Sequence, residues 1–174
     1  MKQGKTWRGF QNLLGLPVAY EVSVGAVIVR REPDVAPGKL GEWRYLLLRY
    51  PHGHWDFVKG HVEPGETHKE TLQRETLEES GISELNIMPG FHQKIRYFYT
   101  AKGTEREKRR RQKRGLWIFK TVHYYLAQTG TIEVILSNEH IDFAWLPFHD
   151  AVERASFSSA KSMLERAQAF LERR

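Results

Sequence analysis

Three glutamates in one short segment have the spacing that brings acidic side chains together on a helix. Glu75, Glu78 and Glu79 stand at positions i, i+3 and i+4, which on an α-helix lie within one sector of about 100°. Like charges at this spacing destabilise an isolated helix by roughly 0.2–0.5 kcal/mol per pair. Water and the neighbouring Arg74 offset that repulsion on an exposed face, whereas in a metal site a hard divalent cation does so, because such ions prefer carboxylate oxygens.

A glycine-containing loop precedes the acidic segment. Gly60, Pro64 and Gly65 predict a tight bend, and its backbone carbonyls can supply a further oxygen ligand. The helix after the bend begins with free N–H groups, which favour an anion. Carboxylates for a metal beside a cradle for phosphate indicate metal-assisted phosphoryl chemistry.

The same stretch resembles the signature of the Nudix hydrolases. The matching positions span 23 residues and are Gly60, Glu66, Arg74, Glu75, Glu78, Glu79, Gly81 and Ile82. Thr76 departs from the pattern, because the family usually has an aliphatic residue there. The resemblance implies an enzyme that cuts a phosphoanhydride bond in a nucleoside polyphosphate. It also implies an α/β (α+β) fold, the Nudix-type α/β/α sandwich, in which helices flank a mixed β-sheet.

The resemblance further implies roles for individual residues. Glu78 and Glu79 would be the main ligands of Mg²⁺, with Mn²⁺ as the alternative ion, and Glu75 would be a ligand or the base that activates water. The Gly60 carbonyl would be another ligand, and Arg74 would orient a glutamate. Which glutamate is the general base stays open, because that role varies within the family.

Three other stretches are similar to the asymmetrical diadenosine tetraphosphate hydrolases, namely Lys59–Glu66, Phe119–Ala127 and Leu136–Leu146. Val58 departs from these relatives, which commonly have proline before the Lys-Gly pair. The similarity implies hydrolysis of dinucleoside polyphosphates, and of diadenosine tetraphosphate to ATP and AMP.

The same similarity implies a substrate site. Lys59, His61 and Lys120 would contact the phosphate chain, and Tyr124 and Phe157 would stack on an adenine. Glu139 would reach the metal cluster as a catalytic ligand or base. Structural alternatives stand beside several of these roles: a strand-edge charge for Lys120, core packing for the two aromatic residues and a capped turn for Glu139. For Glu66 the alternatives are bracing the loop and catalysis.

The elements that must position these residues follow from the pattern of apolar residues. Runs rich in β-branched and aromatic residues predict strands at Tyr20–Arg31, Trp43–Tyr50, Trp55–Lys59, Ile95–Thr100, Leu116–Ala127 and Ile141–Leu146. Thr67 and Glu70 form a capping box at the start of a helix that Gly81 ends. A second helix near the C-terminus, with Ser158 or Ser159 as its N-cap, has apolar residues at helical spacing at Ala160, Met163, Leu164, Ala167, Phe170 and Leu171.

Length and composition predict one domain. The chain has 174 residues, of which 40% are hydrophobic and 28% are charged, as in ordinary globular proteins. We expect an N-terminal extension at 1–18, a single domain at 19–174 and a basic hairpin insertion at 101–115. The chain has no cysteine, which excludes disulfides and thiolate metal sites and fits a reducing cytoplasm. No apolar run approaches the ~20 residues that span a bilayer, so we expect no membrane partner.

The excess positive charge lies in one block. Between Ala101 and Arg114 there are eight basic residues and two acidic ones, and eight minus two equals the net charge of +6. Such a block is usually a solvated hairpin tip, but Lys102–Arg114 also suits a polyanion such as RNA. Two alternatives to a dinucleotide hydrolase therefore stay open, an RNA 5′-pyrophosphohydrolase and a non-catalytic nucleotide or RNA sensor. The sequence does not predict the oligomeric state.

Overall fold

A mixed seven-stranded sheet forms the centre of the described structure, a computed structural model that covers residues 18–33, 36 and 40–174. The strands are β1 (Val18–Arg31), β2 (Trp43–Arg49), β3 (Trp55–Asp56), β4 (Val58–His61), β5 (Asn86–Thr100), β6 (Trp117–Gln128) and β7 (Asp142–Leu146). The helices are α1 (His68–Ser80), α2 (Gly103–Arg111), α3 (Phe148–Arg154) and α4 (Ser158–Leu171).

Strand β1 organises the sheet because it pairs with three other strands. The sheet order is β3-β2-β1-β6-β5, with β4 also paired to β1 and β7 to β2. β6 runs parallel to β1 from Val18 to Val29, whereas β4 pairs antiparallel with Ser23–Ala26. β1 therefore holds the loop of the acidic segment beside the strand that carries Lys120 and Tyr124.

Helices cover both faces of the sheet. On one face Leu72 of α1 packs with Val24, Ala26 and Ile28 of β1. On the other, Val27 and Val29 belong to a core that includes residues of α3 and α4. The even-numbered and odd-numbered residues of β1 thus enter different cores, which explains why the strand reads as an almost continuous apolar run. The predicted mixed sheet with flanking helices is confirmed.

The start and end of α1 are those that the sequence predicts. The Thr67 hydroxyl accepts from the Glu70 backbone N–H, and the Glu70 carboxylate accepts from the Thr67 N–H at 2.7 Å. Gly81 has a left-handed φ of 71°, and its N–H donates to the Leu77 carbonyl. These caps satisfy backbone groups that would otherwise lack partners, and they fix the rotation of the helix that carries the acids.

Some predicted boundaries were wrong. β5 begins at Asn86 and not at Ile95, because Pro89, Gly90 and a register shift between Ile87 and His92 interrupt the strand pattern. Neither Ser158 nor Ser159 is an N-cap, since Phe157 occupies that position without a side-chain cap bond. The short helix α3 was not predicted.

The N-terminal extension and the basic block differ in how much of each the structure describes. Val18, the last residue of the expected extension at 1–18, is the first residue of β1, and the other 17 residues of that extension lie outside the described residues. The basic block is not a solvated tip throughout: it folds into α2, whose Arg109 is only 4% exposed. Among the described residues, no helix has the length and apolar character needed to cross a bilayer.

Candidate functional site

Gly60 and Glu75 are in direct contact between β4 and α1. A Cβ atom added to Gly60 would lie 1.8–2.0 Å from the carboxyl atoms of Glu75, closer than any side chain can tolerate. The Glu75 carboxylate therefore rests against the bare Cα of Gly60. Burial raises the pKa of Glu75, while its hydrogen bond from Arg74 opposes the rise.

Arg74 connects the acidic residues to the loop before the helix. Its guanidinium makes two hydrogen bonds to Glu66, of 2.7 and 3.0 Å, and one bond each to Glu75 (2.8 Å) and Glu78 (3.1 Å). It also donates to the His61 carbonyl at 3.0 Å. The bidentate pair is the strong form of this interaction, so Arg74 orients glutamates.

Glu66 belongs to the loop that Arg74 holds. Its carboxylate accepts from the Glu63 backbone N–H at 3.0 Å and from the Thr71 hydroxyl at 2.7 Å. Hydrogen bonding, first of all from Arg74, lowers the pKa of Glu66 to about 2. With these partners satisfied inside the loop, Glu66 braces the bend between β4 and α1.

Glu79 is buried on the sheet side of α1, with 6% of its surface exposed. Its carboxylate accepts from the Lys59 backbone N–H at 3.1 Å. Burial raises the pKa of Glu79 to about 8. The positive charge of Lys59 opposes this rise, whereas the negative charges of Glu75 and Glu139 add to it. A buried carboxylate whose pKa is raised in this way has too little positive charge near it. A bound divalent cation would supply that charge.

Glu78 does not join the other two glutamates in this arrangement. Its side chain is 57% exposed and points to Arg74. Within the described part of the chain, no three acidic or histidine side chains are gathered closely enough to hold an ion. Glu75 and Glu79 of α1 thus contact two consecutive residues of β4, Gly60 and Lys59 respectively. Glu78 instead pairs with Arg74. All of these donors are hard oxygens, the type that suits Mg²⁺.

A cavity of about 470 Å³ opens beside this site. Its wall contains the predicted residues Lys59, Tyr124 and Phe157, together with Asp56 and Tyr97, which were not predicted. Tyr124 is only 4% exposed, whereas Phe157 is 45% exposed. The volume is in the range of small-molecule sites.

Lys59 is held at the cavity wall by two partners. Its ammonium group lies 3.2 Å from the Asp56 carboxylate and donates to the Tyr50 hydroxyl at 2.6 Å. Burial pulls the pKa of Lys59 down, but Asp56 and Tyr50 outweigh it and keep the pKa above its usual value. Lys59 therefore stays a fixed positive charge, as contact with a phosphate chain requires.

His61 and Lys120 lie beside the cavity and are not part of its wall. Both are next to Glu21 of β1: His61 Nε2 lies 3.0 Å from the Glu21 carboxylate, and Lys120 is the register partner of Glu21 on β6. Burial lowers the pKa of Lys120. Glu21 is 8% exposed and also binds Arg109 and Arg114 of the basic block.

The sequence did not reveal several residues of this region. Tyr50 and Glu21 come next to Lys59 and His61 only through strand pairing and side-chain packing. His140 is also buried here, with its Nε2 3.8 Å from the Glu79 carboxylate, and burial lowers the pKa of His140 to about 4. Asp56 and Lys59 are three residues apart, and this spacing is the one local signal that was available.

Comparison with known proteins assigns these features to a family. A family model described as the NUDIX domain matches residues 19–167. The chain is 38% identical over 133 residues to the asymmetrical bis(5′-nucleosyl)-tetraphosphatase of Mus musculus, covering 73% of this chain and 80% of the relative. It is 35% identical over 136 residues to the protein of the same name from Caenorhabditis elegans, covering 75% and 87%.

A solved structure of a protein with the same kind of name also resembles this chain. The crystal structure of a C. elegans Ap4A hydrolase binary complex superposes with a TM-score of 0.67 and 32% sequence identity. The match covers 87% of this chain and 98% of that one.

Proposed function

The chain belongs to the Nudix family of hydrolases, and from this premise we propose that it hydrolyses dinucleoside polyphosphates, with diadenosine tetraphosphate as the preferred substrate and ATP and AMP as products. The observation that carries the proposal is the contact of α1 with β4. Glu75 lies on Gly60, Glu79 accepts from the Lys59 N–H, and Lys59 also lines the cavity. Acidic groups and a fixed cation thus meet at one edge of a nucleotide-sized space.

The acidic groups fit a divalent cation, which we propose to be Mg²⁺, with Mn²⁺ as the alternative. Glu75, Glu78, Glu79 and the Gly60 carbonyl would hold it, and Glu139 would approach as a further ligand or base. When bound, such an ion neutralises charge on the phosphate chain and lowers the pKa of a water molecule. Glu78 must leave Arg74 to take part, which a side chain that is 57% exposed can do by rotation.

The cationic residues then position the phosphate chain. Lys59 is fixed by Asp56 and Tyr50, and Lys120 and His61 stand beside the cavity. Phe157 offers an exposed ring for stacking on adenine, and Tyr124 supports the cavity from a buried position. Binding that fixes the phosphate chain of the substrate near the acidic residues increases the rate, because the reacting groups are already in position.

A comparison of four substrates with Mg²⁺ tests the substrate. We expect faster turnover of diadenosine tetraphosphate than of 5′-triphosphorylated RNA, oxidised dGTP or ADP-ribose, and chromatography of the products should give ATP and AMP. Preferred turnover of the RNA would instead support the 5′-pyrophosphohydrolase. A wild-type protein that binds nucleotide and turns over none of the four would be a sensor, and the proposal would be wrong.

Replacing Glu79 separates catalysis from binding. We expect Glu79→Gln to lower kcat by about 10²–10⁴-fold, because the ion would lose a ligand and its stabilisation of the transition state is worth several kcal/mol, while the Kd for a nucleotide measured by calorimetry changes little. Glu165→Gln, at an exposed glutamate of α4, is the matched control and should keep full activity. Equal activity of the two variants would remove Glu79 from the site. We further propose the cytoplasm as the compartment, since the chain has no cysteine.

A further inference from the structure

The backbone at the end of α2 adopts a conformation that determines where Arg114 lies. Among the residues that the structure describes, Lys113 is the one non-glycine with a positive φ, of 52°. The Lys113 N–H donates to the Arg110 carbonyl at 3.1 Å, and the Arg114 N–H donates to the Arg109 carbonyl at 2.8 Å. This is the Schellman pattern, which usually has glycine at the left-handed position. A lysine there costs free energy, and backbone conformations of this kind cluster at functional sites.

The turn after α2 brings Arg114 to a carboxylate that already has two other partners. Arg114 lies 3.1 Å from Oε1 of Glu21, which also accepts from Arg109, and Oε2 of Glu21 is 3.0 Å from His61 Nε2. The Arg109 side chain is 5% exposed, whereas that of Arg114 is 52% exposed. Arg109 is therefore the buried partner of Glu21, and Arg114 is the partner that a ligand can reach. Because an exposed ion pair contributes little to stability, Arg114 can exchange Glu21 for another anion.

Arg114 stands at one end of the proposed dinucleotide site. Glu21 is the register partner of Lys120, and Lys120 is the register partner of Tyr97, which lines the cavity. Residues directly opposite each other on paired strands share a face of the sheet. Since adjacent strands are about 4.8 Å apart, Glu21 lies about 10 Å from Tyr97 across two strand pairings. The turn after α2 and the cavity therefore belong to the same face of the sheet.

This end of the site has an excess of positive charge. Three cationic side chains and two carboxylates meet around Glu21, so one positive charge is in excess while His61 is neutral. The cations are Lys120, Arg109 and Arg114, and the carboxylates are Glu21 and Glu105. Burial lowers the pKa of Lys120 even though the charge of Glu21 opposes that shift. The nearby carboxylates thus do not fully compensate Lys120, and an anion bound here would do so.

We propose that Arg114 is a further substrate-binding residue, which binds the phosphate chain at the end of the cavity beyond Lys120 and so favours long anionic chains over short ones. The proposal rests on the proposed function, because it concerns the same cavity. When phosphate binds, Arg114 leaves Glu21, which keeps Arg109 and His61 as partners. The planar guanidinium suits phosphate oxygens because it can donate two parallel hydrogen bonds.

A polyphosphate chain fits this place better than an RNA backbone. Lys120 and Arg114 both act on the one carboxylate of Glu21, so these two cations are close together. A polyphosphate chain has a negative charge on each successive phosphate, whereas an RNA backbone has one charge per nucleotide. Closely spaced cations therefore match the closely spaced charges of the substrate that we propose.

Calorimetry with inorganic phosphate chains tests the contact without turnover. In EDTA at low salt, we expect tetrapolyphosphate to bind the full wild-type chain about tenfold more tightly than pyrophosphate, or better. Arg114→Gln should lose most of this difference, because one charge-assisted contact accounts for about tenfold in Kd. Equal affinity of the wild type for the two chains, or an unchanged difference in Arg114→Gln, would overturn the proposal.

The control removes a charge from the same helix. Arg106 of α2 is exposed, and Arg106→Gln should keep the full difference between the two phosphate chains. Equal losses in Arg106→Gln and Arg114→Gln would mean that the overall field of α2 acts without a contact, which contradicts the proposal. We also expect Arg114→Gln to keep the wild-type Tm. A lower Tm, with the affinity for both chains reduced alike, would give Arg114 a structural role only.

Kinetics with diadenosine tetraphosphate and Mg²⁺ separate this proposal from the proposed function. Arg114→Gln should raise KM about tenfold and leave kcat nearly unchanged, since binding is lost while the reacting bond is not touched. An unchanged KM would overturn the role of Arg114 with this substrate. If even the wild type did not hydrolyse the dinucleotide while the calorimetric difference persisted, the proposed function would fail and Arg114 would keep its role with phosphate chains.

An oligouridylate with a 5′-hydroxyl group tests the RNA backbone as the other polyanion. This probe has no terminal phosphate chain, and we expect it to bind the wild type and Arg114→Gln equally. Binding as tight as that of tetrapolyphosphate, and lost in Arg114→Gln, would assign the residue to nucleic acid and contradict the proposal.

Discussion

Gly60 is the residue at which the geometry of the site can be altered with little effect on the fold. An alanine Cβ there would have to displace the Glu75 carboxylate, which is the end of a flexible side chain. We expect Gly60→Ala to lower kcat/KM for diadenosine tetraphosphate by about 10²-fold, because misplacing a reacting group by about 1 Å costs that much. Steady-state kinetics and a thermal melt on the same sample measure the two effects separately.

Gly130 provides the matched control for this substitution. A Cβ atom at Gly130 would meet no atom within 4 Å, so Gly130→Ala should keep both its activity and its Tm. A Gly60→Ala variant as active as this control would show that the position of the Glu75 carboxylate does not matter. A large fall in Tm would show instead that Gly60 serves the fold.

At the scale of residues, the sequence predicted the acidic helix and missed its surroundings. Glu75, Glu79 and Gly60 could be predicted because helical spacing and a glycine bend are local properties. Glu21 and Tyr50 could not, since they reach His61 and Lys59 through contacts between residues 40 and 9 positions apart. The Arg74–Glu78 pair is local as well, at i, i+4, and the spacing left this pair open as the alternative to a bound cation.

At the scale of elements, the first turn of α1 is attached to β5 and β6 by histidines. His92 Nε2 and His123 Nδ1 lie 2.9 Å apart, and the His68 and His123 rings are 4.4 Å apart. Burial, and then the positive charges of His68, Lys94, His92 and Arg96, lower the pKa of His123 from 6.5 to about 4. The folded state therefore disfavours the protonated imidazole.

This arrangement predicts that acid weakens the fold. Between pH 6.5 and about 4 the unfolded chain takes up the His123 proton and the folded chain does not, so the free energy of unfolding decreases as the pH falls. The change should be less than the ~1.4 kcal/mol per pH unit of one fully coupled proton, because the ring is partly exposed and screened. Urea unfolding across this range should show a shallower pH dependence in His123→Gln.

An exposed histidine of α3 serves as the control. His149→Gln should keep the pH dependence of the wild type, because His149 lies outside this group. If His123→Gln and His149→Gln gave the same curve, the histidines between α1 and β6 would not be the source of acid sensitivity.

Element boundaries could be predicted where local residues set them, and not where distant contacts do. α1 was predicted from Thr67 to Gly81 because both of its ends are capped by local residues. β5 was predicted too short because Pro89 and Gly90 sit inside it, at a bulge that only the pairing with β6 explains. α2 was missed because its cations repel one another and it has no side-chain N-cap, while its buried anchor, Glu21, lies 88 residues from Arg109.

At the scale of the whole molecule, the Glu21–Arg109 pair joins the basic helix to the first strand. The two side chains are only 6% and 5% exposed, and removing one partner of a buried pair leaves an uncompensated charge. We expect Arg109→Met to lower the free energy of unfolding by about 3 kcal/mol, the lower end of the usual range, because Arg114 and His61 still contact Glu21. Urea denaturation measures this loss.

The double variant checks the reason for the loss. Arg109→Met combined with Glu21→Met removes both charges and leaves apolar side chains in the same space, so it should be more stable than Arg109→Met alone. A double variant less stable than the single one would mean that packing, and not the unpaired carboxylate, causes the loss.

The parallel pairing of β1 with β6 has a consequence for how the chain is made. Twelve register pairs join Val18–Val29 to Trp117–Gln128, so a ribosome must release about 100 further residues before the first strand meets its partner. Until then that strand exposes an unpaired apolar edge, which attracts other nascent chains. We therefore expect this protein to fold late and slowly after synthesis, and its yield in a cell to depend on chaperones that shield the early strand.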